Sequence, residues 1–442
     1  MRVTATFERS MQLSLRALNR VASSPTLDRL GIRDGAVRVL HEASRGGAKT
    51  ATRAGRTFAA VQRLGQPARQ PRPSHGAGLF DLTPTDEQQL LRDSVGAFGR
   101  ERLRPAAEAA DGACATPAPL LAEADELGLT MVGVPEELGG AVTERSATTA
   151  VLMAEALAHG DMGIAAACLA PAAVSTAVAL WGDADQQARY LPPFISPDVP
   201  SASLALMEPQ PLFDPFTLQT TATRNGDGGF TLNGVKALVL RAADAELFVI
   251  AAALQGRPAL FIAEAGTEGM ATEPDPGMGV RAAATARLSL ADLRLPAAAL
   301  LGAGEPAVYA ECVALGRLAW CALALGAGRA ALEYVTEYVN TRSAFGEPIS
   351  QRQAVAFTVA DMAIELEGMR LATYRAAARA DQGLPFAREA TLARRLVADR
   401  GMQLGSNAVQ MLGGHGYTRE HPVERWYRDL RAAGVIEGAL LV

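Results

Sequence analysis

The chain has 442 residues, 49% hydrophobic and 20% charged, so it can bury a large core, is not disordered, and suits about two to three domains. Its net charge of -5 hides a split: residues 1–75 carry 14 basic and 4 acidic residues, a net of +10, and the remainder carries -15. That split suggests an appended basic segment, while four cysteines without a C-x-x-C pair indicate neither a disulfide framework nor a zinc knuckle.

In chain order, residues 1–80 read as a basic helical leader and linker. Phe7, Met11, Leu15 and Leu18 share one helical face, Arg16 and Arg20 lie on the other side, and Pro67, Pro71, Pro73 and Gly76–Gly78 follow. Such a helix can lie on an anionic membrane, dock on an acidic partner, act as a transit sequence, or pack on its own acidic body. The first 25 residues hold no continuous apolar run, so no signal peptide is read there. The leader has few aromatics and no recognised module, so no nucleic acid is expected as a partner. Five scattered histidines without an H-E-x-x-H pattern argue against a dedicated metal site.

Residues 81–200 show helical patterning. Thr83 suits an N-cap, Pro84 the first helical position and Asp86 the third, and Leu91, Val95 and Phe98 recur on one face. The loop Gly133–Gly140 interrupts the pattern. The uncharged run from Met162 to Gly182 is long enough to span a bilayer. Its alanine content and Pro171 favour a buried helix pair instead.

Over 201–304 the period shortens. Phe216–Ala222, the turn Asn225–Gly229, Phe230–Leu232, Glu246–Ala251 and Ala259–Ile262 read as antiparallel strands, ending near Leu295-Pro296. Helical patterning returns over 305–442, in long segments at 307–340, 351–382 and 385–412. The class is therefore α+β, mainly α, and the missing β-α alternation argues against a doubly wound sheet. Gly326-Ala-Gly328-Arg-Ala-Ala331 mimics a dinucleotide fingerprint, but no strand precedes it, so close helix packing is the better reading.

The C-terminal third holds the most specific motifs. They are Arg342-Ser-Ala-Phe-Gly346 with Gln353, Gln410-Met-Leu-Gly-Gly-His-Gly-Tyr417, Pro422-Val-Glu-Arg425, Arg428-Asp429 and Ile436-Glu437-Gly438-Ala439. Upstream stand Leu82-Thr-Pro-Thr-Asp-Glu-Gln88, Glu208-Pro209, Thr220-Thr-Ala222 and Leu232-Asn-Gly-Val-Lys236. In this order the motifs resemble those of the acyl-CoA dehydrogenase family, over about residues 80–442. The resemblance implies a helical N-terminal domain, a middle antiparallel β domain and a C-terminal helical bundle. It also implies an FAD enzyme that oxidises the Cα–Cβ bond of an acyl-CoA.

An α-proton beside a thioester is weakly acidic, so a carboxylate must take it while hydride leaves Cβ for flavin N5 on the other face. The matching base is Glu437, and burial would raise its pKa toward neutrality. The alternative family position for the base is Gly316 here. By resemblance, Arg317 lies near acyl-CoA and the base, with Phe213 and Gly438 also on the substrate side. The resemblance further implies that Arg342 would pair with the FAD pyrophosphate and Phe345 would pack near the adenine. Gln353, Gln410, Gly413 and Gly414 reach the dinucleotide of a neighbouring subunit. An electron-transfer flavoprotein and a homodimer or homotetramer are the implied partners. The location is cytoplasmic, with membrane contact through residues 1–75 an option, or the mitochondrial matrix in a eukaryote.

Departures also stand out. Phe213 replaces a serine, Leu238 and Leu240 replace a Trp and a Thr at the flavin, and Ala439 and Leu441 replace a Thr and a Gln. Relatives usually continue with another helix beyond the point matching Val442. These changes support an alternative reading as a catalytically weakened, non-catalytic subunit of a heteromeric dehydrogenase. A different flavin chemistry, oxidase or monooxygenase, is least favoured because Glu437 is retained.

Overall fold

Helix α1 (Asp86–Phe98) starts at a capping box two residues beyond the expected Thr83 cap. The Gln88 N–H donates to the Thr85 hydroxyl at 3.2 Å and the Thr85 N–H donates to the Gln88 side chain at 3.0 Å. Asp86, three residues after Thr83, is too short to return such a bond. The computed structural model describes residues 83–140, 145–196 and 198–442, and the expected leader helix and linker lie outside them. Residues from Phe80 to Val442 form one compact unit.

A π-helical turn, Gly99–Leu103, carries α1 into α2 (Arg104–Ala113). Then follow α3 (Ala118–Glu126), α4 (Ala147–Ala158), α5 (Met162–Trp181) and α6 (Ala184–Tyr190). The expected helix pair around Pro171 is one continuous helix, capped by Asp161, which accepts the Ile164 N–H at 2.9 Å. Pro171 removes a single donor, and packing on all sides holds the helix across that gap. Of its most apolar stretch, 83% is buried inside the protein, so α5 is a core helix.

The sheet has the order β6-β7-β3-β2-β4-β5-β8, with β1 also on β4. The strands are β1 (Ala202–Ala205), β2 (Thr221–Arg224), β3 (Phe230–Val239), β4 (Leu247–Leu254), β5 (Arg257–Glu264), β6 (Met270–Pro274), β7 (Ala286–Leu295) and β8 (Leu300–Leu301). It is largely antiparallel, as expected, with β1 and β2 both pairing with β4 in parallel. Both faces of β1 and most of β4 are buried, as parallel strands require. The run expected from Phe216 becomes a strand only at Thr221. Asp214 draws the preceding residues into a turn, accepting the Phe216 N–H at 3.1 Å and the Thr217 hydroxyl at 3.0 Å.

The C-terminal part opens with α7 (Pro306–Thr341) and the small hairpin β9 (Ser343–Ala344) and β10 (Glu347–Pro348). It continues with α8 (Gln353–Asp381), α9 (Ala387–Met411) and α10 (Val423–Val435). α7 runs through the core beside α4 and α5, and most of its first 26 residues are buried. The glycine pair inside it serves packing. A Cβ on Gly326 would meet the Glu155 carbonyl oxygen at 2.1 Å, whereas one on Gly328 would meet only side-chain ends, Leu366 at 3.1 Å and Leu404 at 3.6 Å. Gly326→Ala is therefore expected to destabilise by about 1–3 kcal/mol, against a helix-propensity gain of about 1 kcal/mol. Gly328→Ala is expected to be close to neutral, and denaturant unfolding of the two variants checks the contrast.

Candidate active site

Glu437 lies just beyond the end of α10, and its carboxylate is 8% exposed. Two guanidinium groups hold it. Arg317 of α7 donates Nη2–H to Oε1 at 3.0 Å and Nε–H to both oxygens at 3.2 Å. Arg394 of α9 places Nε 3.2 Å from Oε1. Burial pulls the Arg394 guanidinium below its usual range and the Glu437 carboxylate partly offsets this, so it remains a cation. Arg317 also donates Nη1–H to the Thr391 hydroxyl at 2.9 Å. Sequence reasoning missed Arg394 and Thr391.

The segment after Glu437 is laid against α7 by missing side chains. A Cβ on Gly316 would stand 3.1 Å from the Leu440 carbonyl oxygen and 3.3 Å from Gly438 Cα. Gly438 has φ +68° and packs against Leu206, 2.6 Å from where its Cβ would be. The Trp320 indole N–H donates to the Gly438 carbonyl at 2.8 Å. Beside this cluster a cavity of about 360 Å³ is lined by Phe216, Val313, Arg317, Arg388, Thr391 and Leu392. The loop carrying Phe213 is anchored nearby: the buried Tyr309 hydroxyl donates to the Pro215 carbonyl at 2.5 Å. Phe213 itself is half-buried against the core.

Leu206 is fixed from the sheet side. The Lys236 ammonium, fully buried, donates to the Leu206 carbonyl at 3.2 Å and to Glu208 Oε1 at 2.8 Å. Glu208 also accepts the Gln219 and Thr220 N–H groups at 2.7 and 2.9 Å. Burial pulls Lys236 down to about 8. For Glu208, burial pushes upward but the ammonium and hydrogen bonds outweigh it, holding the acid below its usual range.

A second, smaller cavity of about 120 Å³ lies between the sheet and α10, lined by Leu238, Gly277–Val280, Thr285, Ala432, Val435 and Ile436. Leu238 sits at φ +51° in a bulge of β3, and Leu240 is buried. The Arg428-Asp429 pair holds the wall of this cleft. Asp429 accepts the Val280 N–H at 2.6 Å, and Arg428 grips Asp111 at 2.8 and 3.0 Å. Burial, then the nearby Asp161 carboxyl, pushes Asp429 above the ordinary carboxylate range. The folded protein then keeps a proton that the unfolded chain loses above about pH 4, so this group makes stability fall as pH rises through that window. Asp429→Asn retains the acceptor for Val280 and is expected to flatten that fall, read by thermal unfolding from pH 5 to 8.

The remaining sequence candidates lie elsewhere. Short links join antiparallel α7, α8 and α9, so the end of α7, the start of α8 and the end of α9 share one end of the bundle. Arg342, Phe345, Gln353, Gln410, Gly413 and Gly414 are all there and all exposed. Phe345 is 95% exposed, and a Cβ on Gly413 or Gly414 would meet nothing within 4 Å. Arg317 and Arg342 are 25 residues apart on α7, roughly 37 Å at the helical rise. The structure thus brings Glu437, Gly438 and Arg317 together and holds the other group far from them. These residues leave an open stretch of backbone with an exposed guanidinium and exposed side-chain amides.

Family models for the N-terminal, middle and C-terminal domains of acyl-CoA dehydrogenase match residues 85–198, 203–293 and 306–440. The short-chain-specific acyl-CoA dehydrogenase of Megasphaera elsdenii is 31% identical over 370 residues, covering 81% of this chain and 96% of that protein. The structure of butyryl-CoA dehydrogenase from the same organism superposes with a TM-score of 0.75 at 30% identity, covering 81% and 96%. The FAD complex of PigA has a TM-score of 0.75 at 25% identity, covering 81% and 96%. The chain belongs to the acyl-CoA dehydrogenase family, whose members are FAD-dependent oxidoreductases.

Proposed function

We propose that this chain oxidises an acyl-CoA thioester between Cα and Cβ, with Glu437 taking the α-proton. The observation that carries the reading is the unequal use of the two carboxylate oxygens. Among the described residues Oε1 receives two guanidinium N–H groups from Arg317 and lies 3.2 Å from Arg394 Nε as an ion pair, while Oε2 receives a single N–H. Oε1 is the anchor, and Oε2 is left to accept a proton. The paired guanidinium groups fix the carboxylate's direction, so the base need not reorganise when the thioester arrives. The neighbouring cavity, with Arg317 in its wall, receives the acyl-CoA, and Phe213 and Gly438 flank its path. Bound FAD supplies the acceptor for the hydride that leaves Cβ, and an electron-transfer flavoprotein takes the electrons onward.

Arg342, Phe345, Gln353, Gln410, Gly413 and Gly414 would hold the dinucleotide of the neighbouring subunit, because no dinucleotide spans the separation along α7. The chain then works as a homodimer or a homotetramer. An exposed apolar stripe on α8 suits a second copy: Phe357, Ile364 and Leu371 recur every seven residues and are 63%, 67% and 42% exposed. The setting is the cytoplasm or, in a eukaryote, the mitochondrial matrix.

The test is turnover of butyryl-CoA, the thioester of the Megasphaera relative's solved structure, with an artificial electron acceptor. Turnover by the wild-type chain is expected. Co-expressed Arg342→Ala and Glu437→Gln chains should regain part of it, since one of their two shared sites is intact. FAD-loaded protein that turns over no straight or branched acyl-CoA would overturn the reading and favour the non-catalytic subunit, which Leu238 and Leu240 support.

A further inference from the structure

Two of the five histidines, His415 and His421, meet in the fold. His415 lies in the 3-10 turn Gly413–Tyr417, and His421 stands directly before Pro422, where α10 begins. The turn is held because the Thr418 N–H and hydroxyl donate to the His415 carbonyl at 3.2 and 2.9 Å. One donor atom each from His415, Glu420 and His421 lies within 4.8 Å of the others. His415 Nδ1 is 3.8 Å from Glu420 Oε2, and the two imidazole rings are 5.8 Å apart.

From this we propose that His415, Glu420 and His421 form a binding site for a divalent zinc ion, with water as the fourth ligand. Two imidazoles and one carboxylate are a donor set that zinc takes readily, at about 2.0–2.1 Å per bond. Tetrahedral bonds of that length separate donors by about 3.4 Å. The present arrangement therefore needs only small rotations of side chains that are half or more exposed, 52% for His415 and 74% for Glu420.

One ring nitrogen of His421 is already engaged. Its Nδ1 lies 2.6 Å from the Tyr334 hydroxyl oxygen, and its ring packs edge-on against Tyr334 and Tyr338 with centroids 6.0 and 5.7 Å away. With Nδ1–H donating to Tyr334, the Nε2 lone pair is free for metal, the outer-shell arrangement that fixes the tautomer of zinc-bound histidine. The ion would tie the turn after α9 to the start of α10 and to α7 through Tyr334. It thereby stiffens the loop that carries Gly413 and Gly414.

Calorimetric titration of untagged, FAD-loaded protein with zinc chloride tests the site. One saturable ion per chain is expected, together with a zinc-dependent rise in Tm. Both should vanish in His421→Ala and in His415→Ala. Tyr334→Phe should keep the stoichiometry and weaken affinity about 10- to 100-fold. Glu420→Gln changes only an exposed side chain and serves as the variant with no risk to folding; it too should lose the tight ion. Zinc uptake that is absent in wild type, or unchanged in the histidine and Glu420 variants, overturns the proposal.

Discussion

Replacing Glu437 with glutamine is expected to lower kcat by about 10²–10⁴-fold, the usual worth of a positioned general base. The flavin colour should persist, because the residues proposed to hold the dinucleotide lie at the far end of α7. A second effect accompanies the first. Arg317 and Arg394 are 15% and 10% exposed at the side chain, and a carboxamide leaves both without a counter-charge. Breaking a buried ion pair from one side costs about 3–5 kcal/mol, and the lower end applies where one partner keeps some solvent. Denaturant unfolding should show that loss. Adding Arg394→Met removes one uncompensated cation and should restore part of the stability without restoring turnover. That double variant separates the chemical role of the carboxylate from its structural one.

The next largest effect is expected at Lys236. Lys236→Met leaves the Glu208 carboxylate, 2% exposed, with its two backbone N–H donors but no cation. A loss of about 3–5 kcal/mol is expected by denaturant unfolding. The double variant Lys236→Met, Glu208→Gln should lose much less, since a carboxamide oxygen still accepts those N–H groups. The consequence reaches the site. Lys236 holds the Leu206 carbonyl, and Leu206 packs on Gly438, so the variant should also weaken turnover of whatever protein remains folded.

This pair shows why the motifs were legible. Glu208-Pro209 and Leu232-Asn-Gly-Val-Lys236 are separated in sequence but meet as one buried ion pair. Residue types that must satisfy each other in a dry interior leave a readable trace. Arg428-Asp429 behaves the same way, gripping Asp111 and the Val280 amide. α9 was readable from its period, since its buried residues Ala390, Ala393, Val397, Gly401, Leu404 and Ala408 repeat every three to four positions.

Other features left no local trace. Arg394 sits in Ala393-Arg394-Arg395, and nothing there separates the buried guanidinium from its neighbour; only packing against α7 and α10 does. α10 buries Val423, Trp426, Leu430 and Ala433 at a regular period, but the charged Arg425 and Asp429 buried beside them could not be told from surface charges by sequence. The parallel pairing of β1 with β4 depends on a long-range register that no turn specifies. Pro171 reads as a break, yet tertiary burial carries the helix through it. His415, Glu420 and His421 lack a recognised metal spacing, and their proximity comes from one 3-10 turn followed by a helix start.

The central claim is that Glu437 removes the α-proton of a bound acyl-CoA. The most direct measurement is anaerobic mixing of butyryl-CoA with FAD-loaded wild type and with Glu437→Gln, following the visible flavin absorbance. The account predicts rapid bleaching in the wild type and an unbleached spectrum in the variant. Bleaching of Glu437→Gln at the wild-type rate would contradict it.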